Sequence, residues 1–269
     1  MAGVKFTNTL AKGIKILEAF TPACPRMKLQ QLADQLMLPR VTLFRLIRTL
    51  MTLGYISHDP SSKTYSLTPR VMSLGFTALS SVELRHIAFS HLEKLSRVTD
   101  QSVNLGILDG TEVVYVETIK KKQPVQLSID LHVGSRVNLY QTSIGRAFLA
   151  FMGPDRLASV MSQLVKNPKA VTYTGKKGEK LTPILEEVRR RGYALTDGDF
   201  VPGVRTIAAP VFDVRGDVEG AINMPVLAYV VSLERLTGEF AALLLETAEE
   251  IFSARGFRGT SKDTILRKR

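Results

Sequence analysis

Cysteine is almost missing from this sequence, and that scarcity excludes two structural devices. Cys24 stands alone among 269 residues, so the chain can form no internal disulfide and no cysteine-rich zinc site. It reads as a lone small hydrophobe. Long apolar runs are absent too. Nothing approaches the roughly 18 consecutive apolar residues of a membrane span, and Met1 to Leu10 lacks the apolar block of a secretory signal. A cytoplasmic protein with no membrane partner is expected. Catalytic signatures are also missing: no Gly-x-Ser-x-Gly elbow, Walker loop or Gly-x-Gly-x-x-Gly fingerprint occurs. The four histidines, His58, His86, His91 and His132, are scattered. His86 and His91 are five apart, which places them about 140° apart on a helix rather than on one face. No metal and no cofactor are expected, and a non-enzymatic role is favoured. An enzyme with an accessory nucleic-acid-binding domain is the alternative reading.

Acidic residues are scarce where basic ones gather. The chain carries 36 Lys and Arg against 25 Asp and Glu, a net charge of +11. Residues 1 to 72 hold ten of the basic residues and only three acids, a net of +7. Residues 254 to 269 hold six basics and one acid, which leaves the long middle close to neutral. Such a split points to a front module that grips a polyanion, joined to a body with a different task. With 45% hydrophobic and 23% charged residues, the chain can fold throughout, and its length suits two domains.

Helical spacing dominates the front. Leu10, Ile14 and Leu17, then Leu29, Leu32, Ala33 and Leu36, then Leu43, Leu46, Ile47 and Leu50 mark three short amphipathic helices. Pro22 and Pro25 separate the first two, and Gly54 supplies a cap for the third. Tyr55 to His58 and Thr64 to Thr68 flank the polar turn Asp59 to Lys63 as a hairpin. Three compact helices followed by a hairpin is the plan of a winged helix-turn-helix, whose third helix enters the major groove of DNA. If Leu43, Leu46, Ile47 and Leu50 face inward, Arg40, Val41, Thr42, Phe44, Arg45 and Arg48 face outward or toward the helix start. Arginine pairs with guanine, threonine suits a thymine methyl or a phosphate, and Phe44 suits thymine methyls or sugar; Arg40 and Thr42 near the helix start are best placed for bases, with Arg45 and Arg48 further along suited to phosphates. Lys63 at the wing tip and Lys28 beside helix two are candidates for backbone phosphate.

Past Pro69 a helical pattern runs from Val71 to Leu84, and a further one from about Glu83 to Arg97. The texture then turns to β at Ser102 to Leu108, Glu112 to Ile119 and Val125 to Ile129, and again at Tyr193 to Thr196, Thr206 to Asp213 and Val218 to Met224. Helices are expected at Thr142 to Met152, around 155 to 164 and 179 to 191, and over Leu233 to Phe252. The fold class is therefore α+β. The boundaries are a winged helix-turn-helix domain at 1–72, a linker helix at 73–84, a body at 85–256 and a basic tail at 257–269 that lacks periodicity and is expected to be disordered.

These residues carry a family resemblance. Leu29-Gln30-Gln31-Leu32-Ala33, the run from Leu38-Pro39-Arg40 to Thr49-Leu50, and Gly54-Tyr55 resemble the helix-turn-helix of the IclR (isocitrate lyase regulator) family. Val133-Gly134-Ser135, Thr142-Ser143-Ile144-Gly145-Arg146-Ala147, Arg191-Gly192-Tyr193-Ala194 and Ile207-Ala208-Ala209-Pro210-Val211 are similar to its effector-domain signatures, in order and spacing. The resemblance runs from about residue 8 to 256. It implies a GAF-like α/β effector-binding domain that holds a small molecule. One recognition helix per chain already calls for a homodimer on a pseudo-palindromic double-stranded DNA operator, and the resemblance extends it to a homotetramer; the helix start at Thr142 makes a small organic acid the expected effector. Many members carry cysteine before the Ile-Ala pair; here Thr206 stands there, in a Gly203-Val204-Arg205-Thr206 form that resembles members sensing aromatic acids.

Within such a domain the expected walls are Thr142, Ser143 and Gly145 at a helix start suited to a carboxylate, with capping of that helix as the other role open to Thr142 and Ser143. Opposite them are Asp197, Asp199 and Arg205, the last a bidentate clamp or the ion-pair partner of those acids. Asn223 is expected to orient the ligand by its amide, with Leu139 and Tyr140 as an apolar lip.

Overall fold

The helical spacing at the front becomes three packed helices. In the computed structural model, which describes residues 7–121, 131–164, 166 and 181–254, α1 spans Asn8–Glu18, α2 Leu29–Leu36 and α3 Arg40–Thr52. Ile16, Leu32, Ala33, Leu43 and Ile47 are buried in one cluster, with Leu46 and Leu50 packed at its margin. The turn between α2 and α3 places Met37 in the left-handed region, at φ 51°. Leu38 N–H then bonds the Ala33 carbonyl at 3.1 Å and Met37 N–H the Asp34 carbonyl at 3.4 Å, a Schellman closure. α3 ends in the same way. Gly54, at φ 79°, lets Tyr55 N–H reach the Leu50 carbonyl while Gly54 N–H reaches that of Met51, both at 2.9 Å, as expected of a glycine cap.

Strands β2 (Ile56–Asp59) and β3 (Thr64–Leu67) form the hairpin, but a third strand joins it. β1 (Arg26–Lys28) pairs antiparallel with β3. Only Met27 of its three residues is buried, too short a segment for alternation to show in sequence. After the hairpin comes α4 (Arg70–Ser80), and α5 (Glu83–Thr99) begins the body. The chain divides into two compact units between Ser81 and Val82. The helical pattern over Val71 to Leu84 is thus interrupted at Ser81-Val82 rather than continuous.

In the second unit β4 (Val103–Asp109), β5 (Glu112–Ile119), β6 (Arg136–Asn138), β7 (Ala194–Asp197), β8 (Val204–Phe212) and β9 (Val218–Leu227) form one sheet. Their order is β6-β5-β4-β9-β8-β7, and each neighbouring pair is antiparallel. Each face is covered by helix. A Cβ on Gly106 of β4 would lie 2.8 Å from Ile144 of α6 (Ser143–Phe151), whereas one on Gly220 of β9 would lie 2.5 Å from Leu84 of α5. The two faces therefore belong to α6 and to α5. All nine residues of α6 are buried. α7 (Pro154–Leu164) and α8 (Leu181–Arg191) complete the α6 side. The strand expected at Val125 to Ile129 and the basic tail at 257–269 lie outside the described residues.

The last helix is not the single amphipathic rod the sequence suggests. α9 (Leu233–Arg235) passes through a π-helical turn at Leu236–Phe240 into α10 (Ala241–Ala254). The wider turn takes in one extra residue, and Leu236, Phe240 and Leu244 are all buried across it. The Tyr193 hydroxyl donates to the Thr237 carbonyl inside that turn at 3.3 Å. α10 is tied to α5 by Glu250, whose carboxylate meets Lys94 Nζ at 2.7 Å and His91 Nδ1 at 3.0 Å. The result is an α+β chain: a winged helix-turn-helix unit, then a GAF-like α/β unit. No described helix is long and apolar enough to cross a membrane.

Candidate nucleic-acid interface and effector site

Burial sorts α3 into two faces. Leu43 and Ile47 have no exposed surface, while Arg40, Val41, Phe44, Arg45 and Arg48 are exposed and Thr42 is half-buried. The outward set is therefore the one that helical rotation indicates, with Thr42 turned partly toward the core. The Arg48 guanidinium stands 5.9 Å from the centre of the Phe44 ring, close enough for a cation–π contact. Lys28 is exposed at the start of α2, where its N–H is held by Gln31 Oε1 at 2.7 Å. Lys63 is exposed at the wing tip with φ 55°. None of Lys28, Arg40, Arg45, Arg48 and Lys63 meets a carboxylate among the described residues. Their positive field is left for a partner.

The wing is locked by Asp59. Its carboxylate accepts from the Ser61 hydroxyl at 2.6 Å, the Ser61 N–H at 3.0 Å and the Ser62 hydroxyl at 2.6 Å. The Ser61 hydroxyl, followed by that of Ser62, holds this acid well below the usual carboxylate range. Its one negative charge is spent on turning the chain so that Lys63 projects.

In the second unit the predicted residues separate by role. Thr142 is the N-cap of α6: its Oγ1 accepts from Gly145 N–H at 3.1 Å and donates to the Asn138 carbonyl at 2.6 Å. Gly145 is wedged. A Cβ there would lie 2.3 Å from Leu139 Cα and 2.4 Å from Leu139 O, so Leu139 is fully buried against the helix, with Tyr140 beside it in the core. Ser143 is 1% exposed, and its Oγ has no hydrogen-bond partner among the described residues. It is a buried hydroxyl at a helix start that the protein's own groups leave unsatisfied, beside first-turn N–H groups that no helical carbonyl can reach.

Asn223 belongs to a polar row. Its Oδ1 accepts from Asn104 Nδ2 at 3.0 Å and its Nδ2 donates to the Tyr115 hydroxyl at 3.3 Å. Burial pushes the Tyr115 phenol well above its ordinary range, so it stays protonated. Thr118 pairs in register with Asn104, and Asn104 with Asn223. Asn104 lies two positions before Gly106 on β4, so this row faces α6, the side of Ser143. Thr118 Oγ1 is also buried without a partner among the described residues.

The loop acids and Arg205 are engaged. Arg205 Nη1 donates to the carbonyls of Ala228 and Val231, both at 3.2 Å, and its Nε stands 3.2 Å from Asp197 Oδ1 as an ion pair rather than an aligned hydrogen bond. Of the two roles open to it, pairing with Asp197 is the one seen. Asp199 lies 3.4 Å from Arg146 Nη1. Arg146, almost wholly buried, also donates from Nε to the Tyr140 carbonyl at 3.0 Å. Among the described residues no group of three or more His, Cys, Asp or Glu side chains is placed to hold a metal.

Comparison with known proteins gives this geometry its context. Residues 9–60 match the IclR helix-turn-helix domain and residues 76–253 match the bacterial transcriptional regulator IclR C-terminal domain. The chain belongs to the IclR family. Among its relatives, the HTH-type transcriptional regulator KdgR of Escherichia coli strain K12 is 33% identical over 229 residues, 84% of this chain and 85% of that one. The solved IclR family transcriptional regulator of Brucella abortus superposes with a TM-score of 0.76 at 26% identity, over 94% of this chain and 96% of that one. An IclR homologue from Microbacterium hydrocarbonoxydans, solved in complex with 4-hydroxybenzoate, has a TM-score of 0.76 at 21% identity, over 93% of this chain and 99% of that one. This is a DNA-binding transcriptional regulator.

For this IclR-family chain, Asn104, Tyr115, Thr118 and Arg146 were not singled out as site residues by sequence reasoning. A signal existed for two of them. Asn104 interrupts the apolar run Val103 to Leu108, and Arg146 is a lone charge in the otherwise uncharged helix Ser143–Phe151. Tyr115 and Thr118 carry no such mark, because aromatic and β-branched residues are ordinary in strands.

Proposed function

We propose that the regulator holds a pseudo-palindromic operator with two copies of α3 and that a small organic acid, bound in the second unit, sets how well the two copies fit it. The acid's carboxylate docks at the start of α6 on Ser143 and its neighbouring N–H groups. Asn223, Asn104 and Thr118 take its hydroxyl or oxo groups. Thr142, Gly145 and Leu139 build that shelf, while Asp197, Asp199 and Arg205 fix the loop that borders it. The unpartnered, buried Ser143 hydroxyl carries this reading, because such a group costs about 1–3 kcal/mol unless a ligand satisfies it. An aromatic acid is the preferred class, supported by the Gly203-Val204-Arg205-Thr206 form and by the fold shared with the 4-hydroxybenzoate complex. The protein acts in the cytoplasm, where its DNA is, and is no enzyme.

The dimer contact is assigned to α1 and α4. Leu10 and Ile14 of α1 and Met72, Leu74 and Phe76 of α4 are all exposed, and α4 buries none of its residues. An apolar helix with no covered face suits a subunit interface, and two such dimers form the tetramer. Binding of the acid shifts an equilibrium between dimer geometries.

Thermal unfolding of the full chain with 4-hydroxybenzoate, protocatechuate and pyruvate as probes tests this. A bound acid at a hundredfold excess over Kd raises Tm by about 5–10 °C. Ser143→Ala and Asn223→Leu lose the shift. No shift with any of the acids, or an equal shift in both variants, contradicts the site.

A further inference from the structure

The outward face of α3 is not uniformly polar. Val41 is 74% exposed and Phe44 44% exposed, and Met37, in the turn just before the helix, is 89% exposed. Val41, Phe44, Arg45 and Arg48 are spaced i, i+3, i+4 and i+7, so they form one stripe. A large apolar side chain left in water here does nothing for the fold, since Leu43 and Ile47 on the opposite face already fill the core. We propose that Val41 and Phe44 read the 5-methyl groups of thymine, so that each operator half-site presents thymine methyls to the first two turns of α3. The inference rests on α3 being the helix that enters the groove.

Three observations support it. Both residues lie within the first five positions of α3 (Arg40–Thr52), the end of a recognition helix that contacts base edges. The flanking cations Arg40, Arg45 and Arg48 are exposed and meet no carboxylate among the described residues, which suits a polyanion. A protein-binding patch is instead depleted of charge at its core. In the major groove the thymine methyl is the one strongly apolar feature that a base pair offers. The Arg48 guanidinium against the Phe44 ring restricts where that ring can lie, which favours a defined contact over a general greasy one.

Deoxyuridine differs from thymidine only by that methyl, which makes a clean probe. A duplex is first selected from a random pool by the full-length protein, and each thymine of its half-sites is then replaced by uracil in turn. Loss of one methyl contact is expected to weaken binding about fourfold, and the same change in both half-sites about fifteenfold. Val41→Ala is expected to abolish the penalty at one thymine and Phe44→Ala at another. Val41→Thr, which keeps a methyl, is expected to preserve it. Both sites are on the surface, and circular dichroism checks that the variants fold. Uracil tolerated at every position, or penalties that are the same in wild type, Val41→Ala and Phe44→Ala, overturns the proposal. Failure to select any duplex would instead overturn the placing of α3 in the groove.

Discussion

Gly145→Ala is expected to cost the second unit about 3 kcal/mol or more. The added Cβ would stand 2.3, 2.4 and 2.6 Å from the Cα, O and C of Leu139. Those are backbone atoms of a fully buried residue, so no flexible side chain can swing aside. The whole of α6 would have to lift, and all nine of its residues are buried. A control separates this from a generic glycine effect. Gly238, exposed in the π-helical turn of the same unit, has nothing within 4 Å of the same position, and Gly238→Ala is expected to be neutral or to stabilise by about 0.5–1 kcal/mol. Urea unfolding of the two full-length variants, followed by circular dichroism, measures both. Equal and small effects would mean that α6 does not pack on Leu139 as described.

Arg146→Met is expected to destabilise the same unit by about 3–5 kcal/mol. The guanidinium is buried, donates to the carbonyls of Tyr140 at 3.0 Å and Leu195 at 3.4 Å, and lies 3.4 Å from Asp199 Oδ2. Methionine fills the space but leaves two carbonyls short of a donor and a mostly buried carboxylate short of a cation. Asp199→Asn in the same chain is expected to recover part of the loss, because it removes a mostly buried charge that Arg146 no longer offsets. A loss below about 1 kcal/mol in the single variant, or no recovery in the double, contradicts the role given to this pair. Arg146 joins α6 to the loop before β8, so the pair also fixes the border of the proposed effector site.

Much of the front unit was legible from spacing alone. Leu43 and Ile47 fall inward and Arg45 and Arg48 outward because a helix of 3.6 residues per turn leaves no other choice. β1 and β6, by contrast, are three residues each. Their existence depends on the partner strand and not on their own pattern. The π-helical turn at Leu236–Phe240 was hidden for a related reason, since a one-residue slip within an apolar helix leaves its composition unchanged.

The candidate site divides along the same line. Local chemistry was readable: Thr142 caps α6 as a threonine before a helical run should. Contacts across the sheet were not. Asn223 stood out as an amide on a strand, but its partner Asn104 is 119 residues away and is found only through the order β4-β9. Arg205 had two open roles in the sequence. The carbonyls of Ala228 and Val231, which draw it toward Asp197, come from a segment whose approach no spacing rule supplies.

The exposed cations of the first unit, which meet no carboxylate among the described residues, are proposed to grip DNA phosphate around a groove-reading helix. The salt dependence of affinity for the selected operator tests it most directly, compared among wild type, Lys63→Ala, Arg48→Ala and Arg40→Ala. A steep fall of log K with log salt is expected in the wild type, with the slope about one unit shallower in Lys63→Ala and in Arg48→Ala and base preference unchanged; Arg40→Ala relaxes preference at one position. A flat salt response, or one unaltered by removing Lys63 and Arg48, would contradict the account.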